Sequence, residues 1–225
     1  LVKGVHLEGL RVLGNPSSFA KYYFENGADE LHYQDVVASL YNRNSILDFI
    51  NKTANEIFIP LTVGGGIRSS DDIKTILRAG ADKVSINTQA IKQPDFINSA
   101  ARIFGSSTIV LSIEASRNKN GDYYAYTDNG REFTGKKVID WATEVEERGA
   151  GEIFVTSIDK EGTGLGFDTD LIKILSENLK IPIIAHGGAG EKKHCEDIIK
   201  KTNVDSICFS SILHYNALKK IKDNV

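Results

Sequence analysis

Ile59-Pro60-Leu61-Thr62-Val63-Gly64-Gly65-Gly66-Ile67 has a second, altered copy at Ile181-Pro182-Ile183-Ile184-Ala185-His186-Gly187-Gly188-Ala189. Pro60 and Pro182 stand 122 positions apart, as do Gly65 and Gly187, and Gly66 and Gly188. The same offset relates Gly27-Ala28-Asp29-Glu30-Leu31 to Gly149-Ala150-Gly151-Glu152-Ile153, and Thr88 to Ser210. Short matches recurring at one offset mark a chain made of two copies of a half. Each half carries an apolar run, read as a strand, that ends in paired glycines. Glycine lets backbone amides approach closely and point inward, the geometry that wraps a phosphate. Two such places predict a ligand with a phosphate at each end.

Outward from these copies, short apolar runs alternate with longer amphipathic ones. Strands are expected at 30–35, 60–63, 83–87, 108–114, 152–157, 181–185 and 205–209, continuous and β-branched as buried parallel strands are. Helices are expected between them, at 17–26, 46–56, 70–79, 94–104, 136–148, 168–178 and 191–202. Ser69 or Ser70, and Asp168 or Thr169, are placed to cap helix starts, and Gly27, Gly80 and Gly149 to stop helices. This alternation means a parallel sheet with right-handed crossovers. A closed (β/α)8 barrel needs one strand more than these. The strand at 108–114 has its counterpart 122 positions earlier, upstream of Leu1. The expected fold is therefore α/β, a single (β/α)8 TIM barrel over residues 1–225. It has a two-fold half-barrel repeat, and its first strand is absent from the given sequence. On this reading roughly 10–20 residues precede Leu1, one strand and its flanks. Residues 1–16 are then the long loop after that strand.

A formal net charge of −3 gives no general attraction to nucleic acid or an anionic membrane. No apolar run is long enough to span a bilayer, and no signal peptide is evident. Cys195 and Cys208 follow no pattern and read as free thiols of a reducing cytoplasm. The five histidines have no metal-ligand spacing, so neither metal nor cofactor is expected.

In such a barrel the reactive face lies at the C-terminal ends of the strands. One phosphate site would use Gly65, Gly66, Asn87 and Thr88; the other Gly162, Gly187, Gly188, Ser210 and Ser211. A lone glycine pair is ordinarily just a tight turn. The repeat, with a small hydroxyl residue after the next strand in each half, favours phosphate. Glu114 ends an apolar strand and has two readings: an acid/base facing the barrel mouth, or a solvated strand end paired with Arg117. Asp35, Thr156, Asp159 and His186 share the mouth; His186 either donates a proton or hydrogen bond there or packs. Lys3 in the first loop either reaches a phosphate or is solvated. At the opposite end Glu30, Lys83 and Glu152 begin buried strands. They read as bottom-face stability residues or as a salt-bridged gate on the barrel axis.

Asp29-Glu30-Leu31, TVGGGI at 62–67, GADKVSINT at 80–88, RGAGEI at 148–153, TSIDKEGT at 156–163 and GGAG at 187–190 carry a resemblance. Together they resemble the cyclase subunit of imidazole glycerol phosphate synthase, of histidine biosynthesis, over essentially the whole chain. The resemblance implies a lyase whose glutaminase partner docks on the N-terminal face of the barrel and releases ammonia. Ammonia passes a charged gate, matched by Glu30, Lys83 and Glu152, and travels along the axis. At the far face it attacks a ribulosyl intermediate anchored by two phosphates. Ring closure and cleavage give imidazole glycerol phosphate and an aminoimidazole carboxamide ribotide.

The family places two aspartates, on the first and fifth strands, as acid and base. This chain departs from that pattern: the fifth-strand position is Glu114. The extra methylene moves the carboxyl by about an ångström, and misplacement of that size costs roughly 100-fold. Glu161 stands where the family commonly has Asp beside the second phosphate site, and His186 replaces a small residue. These changes resemble a branch found with surface-polysaccharide genes. There the cyclase-like subunit channels ammonia to an amidotransferase acting on an amino sugar, and that is the alternative reading.

Overall fold

The computed structural model describes residues 2–12, 14–35 and 44–222. The first element departs from the expected loop over residues 1–16. β1 (Val2–Val5) and β2 (Glu8–Val12) form an antiparallel hairpin. Its tip is His6-Leu7 at φ 50 and 63, a left-handed two-residue reversal without the glycine or asparagine that usually signals one. α1 (Pro16–Glu25) begins where the Asn15 side chain accepts the Ser17 amide and Pro16 occupies a first-turn position whose N–H would be unbonded anyway.

There follow β3 (Leu31–Gln34), α2 (Asn44–Ala54), β4 (Leu61–Gly64), α3 (Ser70–Arg78), β5 (Lys83–Ile86), α4 (Thr88–Lys92), α5 (Asp95–Phe104) and β6 (Ile109–Arg117). Then come β7 (Tyr123–Thr127), β8 (Glu132–Lys137), α6 (Val138–Glu147), β9 (Glu152–Ser157), α7 (Thr169–Asn178), β10 (Ile183–His186), α8 (Lys192–Lys201), β11 (Ser206–Cys208) and α9 (Ser211–Lys222). Every strand and helix expected from the sequence is present, with ends shifted by a few residues. Ser69 and Asp72 close a capping box at α3, and Asp168 caps α7.

The parallel strands run in the order β11-β10-β9-β6-β5-β4-β3, as in a (β/α)8 barrel, with β7 and β8 added antiparallel beyond β6. The sheet curls so that β3 and β11 line one cavity of about 600 Å³. Across it α1 meets α9 through a 2.5 Å hydrogen bond between Tyr23 Oη and His214 Nδ1.

The repeat holds in three dimensions. α1 and α6, and β4 and β10, occupy spans related by the 122-residue offset. α8 has 10 residues where α3 has 9, and beyond it the offset is one residue greater. Two aspartates show this: the Leu61 amide donates to Asp82 Oδ2 at 2.8 Å and the Ile183 amide to Asp205 Oδ2 at 2.9 Å. The counterpart of Thr88 is therefore Ser211, each the first residue of a helix. Ser210, matched to Thr88 by the sequence offset, corresponds instead to Asn87.

The pleat gives the sheet two unlike faces. Leu61, Val63, Val84, Ile86, Leu111, Ile113, Ile153, Val155 and Ile183 face the helices and join Ile73, Trp141 and Leu175 in one apolar core. The alternate residues face the barrel axis and form rows by register. One row is His32, Thr62, Lys83; the next is Gln34, Gly64, Ser85, Val110, Glu152. Above them run Ser112, Phe154, Ile184, Ser206 and then Glu114, Thr156, His186, Cys208. The axis face is largely polar, which a purely structural core has no reason to be.

Candidate active site

At the N-terminal ends of the strands the three charges meet. Lys83 Nζ lies 3.0 Å from Glu30 Oε2 and 2.7 Å from Glu152 Oε1. Burial works against the ammonium, but hydrogen bonds and attraction from both carboxylates outweigh it and hold Lys83 above the ordinary lysine range. Thr62 Oγ1 donates to Glu30 Oε1 at 2.7 Å. Glu152 Oε2 is buried and has no partner among the described residues.

Higher on the axis stand three rings. His32 packs edge-on against Phe154 at 4.1 Å between centroids, and Phe154 lies 5.2 Å from His186. His186 Nδ1 is 3.1 Å from Thr156 Oγ1. Burial pushes His186 down to about 4, with the neighbouring His214 adding to the effect, so its imidazole is neutral at pH 7.

Glu114 sits at the C-terminal end of the same interior, where the β7–β8 hairpin folds over it. Asp128, Asn129 and Gly130 turn that hairpin with φ of 55, 57 and 76. The turn aims the Gly130 amide at Glu114 Oε2, 2.8 Å away. Burial pushes the Glu114 carboxyl up to about 7. Hydrogen bonds from Gly130 and Asn87 oppose the rise, and the Asp128 charge adds to it. Such a group is both a competent acid and a competent base near neutrality. The strand-end pairing with Arg117 does not occur: Arg117 bonds Gly121 O and lies 3.4 Å from Asp170. Its position past Glu114 on β6 carries it to the outer side of the hairpin.

The glycine pairs close both cradles. Gly65 and Gly66 have φ of 105 and 66, Gly187 and Gly188 both 98. A Cβ on Gly65 would lie 2.3 Å from Asp35 O, and one on Gly188 would lie 2.1 Å from Gly166 O. The second cradle is a cavity of about 190 Å³ lined by Glu161, Gly162, His186, Gly187, Gly188, Ser210 and Ser211. In the first, Thr88 opens α4 and Asn87 precedes it. Asn87 Nδ2 donates to Tyr126 O at 3.3 Å, which places this residue beside Glu114 as well as beside the cradle.

Asp35 donates its amide to Gly64 O, holding the first cradle. Asp159 receives Ser116 Oγ and the Arg117 amide, each at 2.8 Å, and so braces the β6 bend from across the mouth. The side chain of Lys3 lies outside the described residues. Among the described residues no group of three or more histidines, cysteines or acids is arranged for a metal, both cysteines are free thiols, and no helix is long and apolar enough to cross a membrane.

The family model described as histidine biosynthesis protein matches residues 1–219. The chain belongs to this family. It is 58% identical over 191 residues to the imidazole glycerol phosphate synthase subunit HisF of Legionella pneumophila, covering 85% of this chain and 90% of that protein. It is 44% identical to the subunit of the same name from Methanococcus vannielii, over 100% of this chain and 91% of the relative. The subunit of that name from Alkaliphilus metalliredigens is also 44% identical, over 96% of this chain and 86% of the relative.

Against this family background, two contacts at the site were not legible beforehand. Gly130 is the first; Asp-Asn-Gly between the alternating Tyr123–Thr127 and Glu132 is the hairpin signal that could have found it. His6 is the second. Its amide donates to Glu161 O at 3.0 Å and its Nδ1 lies 2.7 Å from Ile158 O, so the β1–β2 tip rests on the loop flanking the second cradle. No local sequence pattern marks that long-range contact.

Proposed function

We propose that this chain is the cyclase subunit of an imidazole glycerol phosphate synthase, acting in the cytoplasm in histidine biosynthesis. Its glutaminase partner docks on the barrel face that carries Glu30, Lys83 and Glu152 and releases ammonia there. The ammonia adds to the carbonyl carbon of a ribulosyl substrate whose two phosphates occupy the glycine cradles. Glu114 moves protons as the imidazole ring closes and the carboxamide ribotide leaves.

The observation that carries this reading is the place and state of Glu114. Its strand lies between the two cradle-bearing pairs of strands in the sheet order. Its carboxyl is held at about 7 by burial, in a mouth that opens at the far end of the axis from the ion triad. A buried carboxyl with a raised pKa at such a mouth, its desolvation only partly offset by hydrogen bonds, is the kind of group acid/base sites use.

The test is turnover of the bis-phosphorylated ribulosyl substrate by the full chain with ammonium salt, with and without a glutaminase subunit. Wild type should form both products. Glu114→Gln should lower turnover by about 10²–10⁴-fold, while substrate affinity stays within about twofold because the cradles do the binding. Glu114→Asp should keep or raise activity. Turnover unaffected by Glu114→Gln would remove the acid/base role. Intact bis-phosphate binding without any wild-type turnover would favour ammonia delivery to an amino-sugar amidotransferase, the reading that Glu114 and His186 support.

A further inference from the structure

The two halves place different side chains beside their glycine pairs. In the first, Gln34 on β3 stands next to Gly64 on β4, the residue before Gly65 and Gly66. In the second, Thr156 on β9 stands next to His186 on β10, the residue before Gly187 and Gly188. The 122-residue offset makes Thr156 the counterpart of Gln34, and His186 that of Gly64. A long side chain beside none is matched by a short one beside a ring. A Cβ on Gly64 would collide with Gln34 Oε1, so the first half has no room for a side chain there. The shorter Thr156 leaves that room, and the imidazole of His186 fills it. Gln34 hydrogen-bonds the His32 ring deeper on the axis, whereas His186 lines the second cradle.

His186 Nδ1 is 3.1 Å from Thr156 Oγ1. The Thr156 hydroxyl is buried, and the imidazole is its one hydrogen-bond partner among the described residues. A hydroxyl with no other acceptor donates its proton to Nδ1, so the single proton of a neutral ring sits on Nε2. Nε2 has no partner among the described residues, and it is not enclosed as His32 Nε2 is. An N–H donor is thus presented to the cavity of about 190 Å³ that His186 shares with Glu161, the glycine pair, Ser210 and Ser211. The amides, the hydroxyls and the start of α9 suit a phosphate. The Glu161 carboxyl does not. A ligand that suits both carries a hydroxyl beside its phosphate, because a hydroxyl accepts from an N–H and donates to a carboxylate. We propose that His186 sets the specificity of the second cradle: its Nε2–H donates to a hydroxyl of the carbon chain next to the phosphate, so the cradle takes a phosphorylated polyol in preference to a phosphate ester without hydroxyls. This deepens the function proposed above and rests on the phosphate which that reading places here.

The charge state of His186 suits the task. Burial, with His214 adding to it, holds the ring at about 4 and so neutral at pH 7. An imidazolium would attract any phosphate, with or without hydroxyls. A neutral N–H contributes only where an acceptor lies within its reach, and so discriminates by position. The first cradle has no such donor, because glycine holds the equivalent place at Gly64.

Two ligands of equal chain length test it: glycerol 3-phosphate, and propyl phosphate, which lacks the hydroxyls. Each is titrated into the full chain. The amide NMR signals of Gly188 and Gly66 report the second and first cradles separately. At Gly188 the wild type should bind glycerol 3-phosphate about three- to tenfold more tightly than propyl phosphate, the size of one net hydrogen bond. His186→Ala should remove that preference and leave propyl phosphate within about twofold. His186→Asn restores an amide donor and should recover part of the preference. Neither variant should change the titration seen at Gly66. Nitrogen-15 shifts of the wild-type ring should place the proton on Nε2. A proton on Nδ1, no preference in the wild type, or an equal loss of both ligands in His186→Ala would overturn the inference and leave His186 a packing residue. No response of Gly188 to either ligand would instead defeat the phosphate cradle of the proposed function, and this inference with it.

Discussion

The two halves of the sheet share a backbone and differ in what they aim at the axis. β3–β5 and β9–β11 repeat the same strand lengths to within a residue or two, the same aspartate clamp at the start of the second strand, and the same left-handed glycine pair at its end. Facing the axis, only Glu30 and Glu152 are kept. Thr62 corresponds to Ile184, Lys83 to Ser206, His32 to Phe154 and Gly64 to His186. Duplication thus preserved the frame that fixes amide positions, while the axis chemistry diverged residue by residue. Three comparisons between the halves, and one test of the strand that has no described copy, probe this division, and the largest effect belongs to the frame.

Alanine at Gly65 or Gly188 should disable one cradle in each half. Both sites have φ near 100, and an added Cβ would meet backbone oxygen at 2.3 and 2.1 Å. Strain and displacement of about 2–3 kcal/mol should raise the KM for the bis-phosphate by roughly 100-fold in either variant. The helix-stop pair supplies the control. Gly27 and Gly149 also have positive φ, but a Cβ there meets nothing within 4 Å at Gly27 and only side-chain atoms at Gly149, Ala101 Cβ at 3.1 Å and Ser106 Oγ at 3.7 Å. Alanine at those positions should cost about 1 kcal/mol of stability and leave KM unchanged. A KM effect in only one half would mean that one cradle does not hold phosphate.

The second test concerns β6, which has no counterpart among the described strands. Glu114 binds a proton up to about pH 7 in the folded chain, against 4.5 for the ordinary carboxyl. Between those values the native state holds more protons than the unfolded state, so stability falls as pH rises. Glu114→Gln removes that loss. It should stabilise the fold at pH 8, by about 3 kcal/mol at most, read as a higher thermal midpoint, and change the midpoint little at pH 4. The buried histidines run the other way. Burial holds His32 at about 3 and His186 at about 4, so the stability they confer as neutral groups is lost as pH falls from 6.5 through those values. A stabilisation of Glu114→Gln that is equal at both pH values would show that its carboxyl is not perturbed.

The third test is the ion triad. Lys83 has no copy in the second half, and it alone serves both glutamates. Lys83→Met should destabilise by ~2 kcal/mol, less than for a fully buried pair because 18–32% of these side chains stays exposed. The two glutamates should then behave differently. Glu30 still accepts from Thr62, whereas Glu152 is left with nothing among the described residues. Adding Glu152→Gln to Lys83→Met should therefore recover more stability than adding Glu30→Gln. Equal recovery would deny the asymmetry.

What the sequence made legible follows the same division. The repeat, the strand order, the cradles and the triad all depend on backbone positions that glycine, proline and charge at strand starts announce directly. Three things were hidden. The extra residue of α8 lies beyond the glycine pairs from which the offset is read, so Thr88 was matched one position early. The Gly130 amide reaches Glu114 because a hairpin folds back across β6; Asp128-Asn129-Gly130 announces the turn, but not which residue of β6 it covers. The unpartnered atoms of His32, Ser85 and Glu152 share the axis through strand register, which parallel pairing sets and single-strand patterns do not.

The smallest effect isolates one hydroxyl. Thr62 Oγ1 donates to Glu30 at 2.7 Å, and the equivalent position beside Glu152 is Ile184, whose side chain has nothing to donate. Threonine and valine are nearly the same shape, so a comparison of the two at each site removes the packing change and leaves the hydrogen bond. Thr62→Val should cost about 1 kcal/mol, since it orphans one oxygen of Glu30. Ile184→Thr and Ile184→Val both lose apolar surface and should both be less stable than wild type or close to it. Between them the threonine variant should be the more stable by about 1 kcal/mol, because its hydroxyl can reach Glu152 Oε2 as Thr62 reaches Glu30. Urea midpoints at constant m-value measure the difference. If the two Ile184 variants are equally stable while Thr62→Val is destabilised, the halves differ in backbone geometry at the triad as well as in side chains, and the shared frame ends above that level.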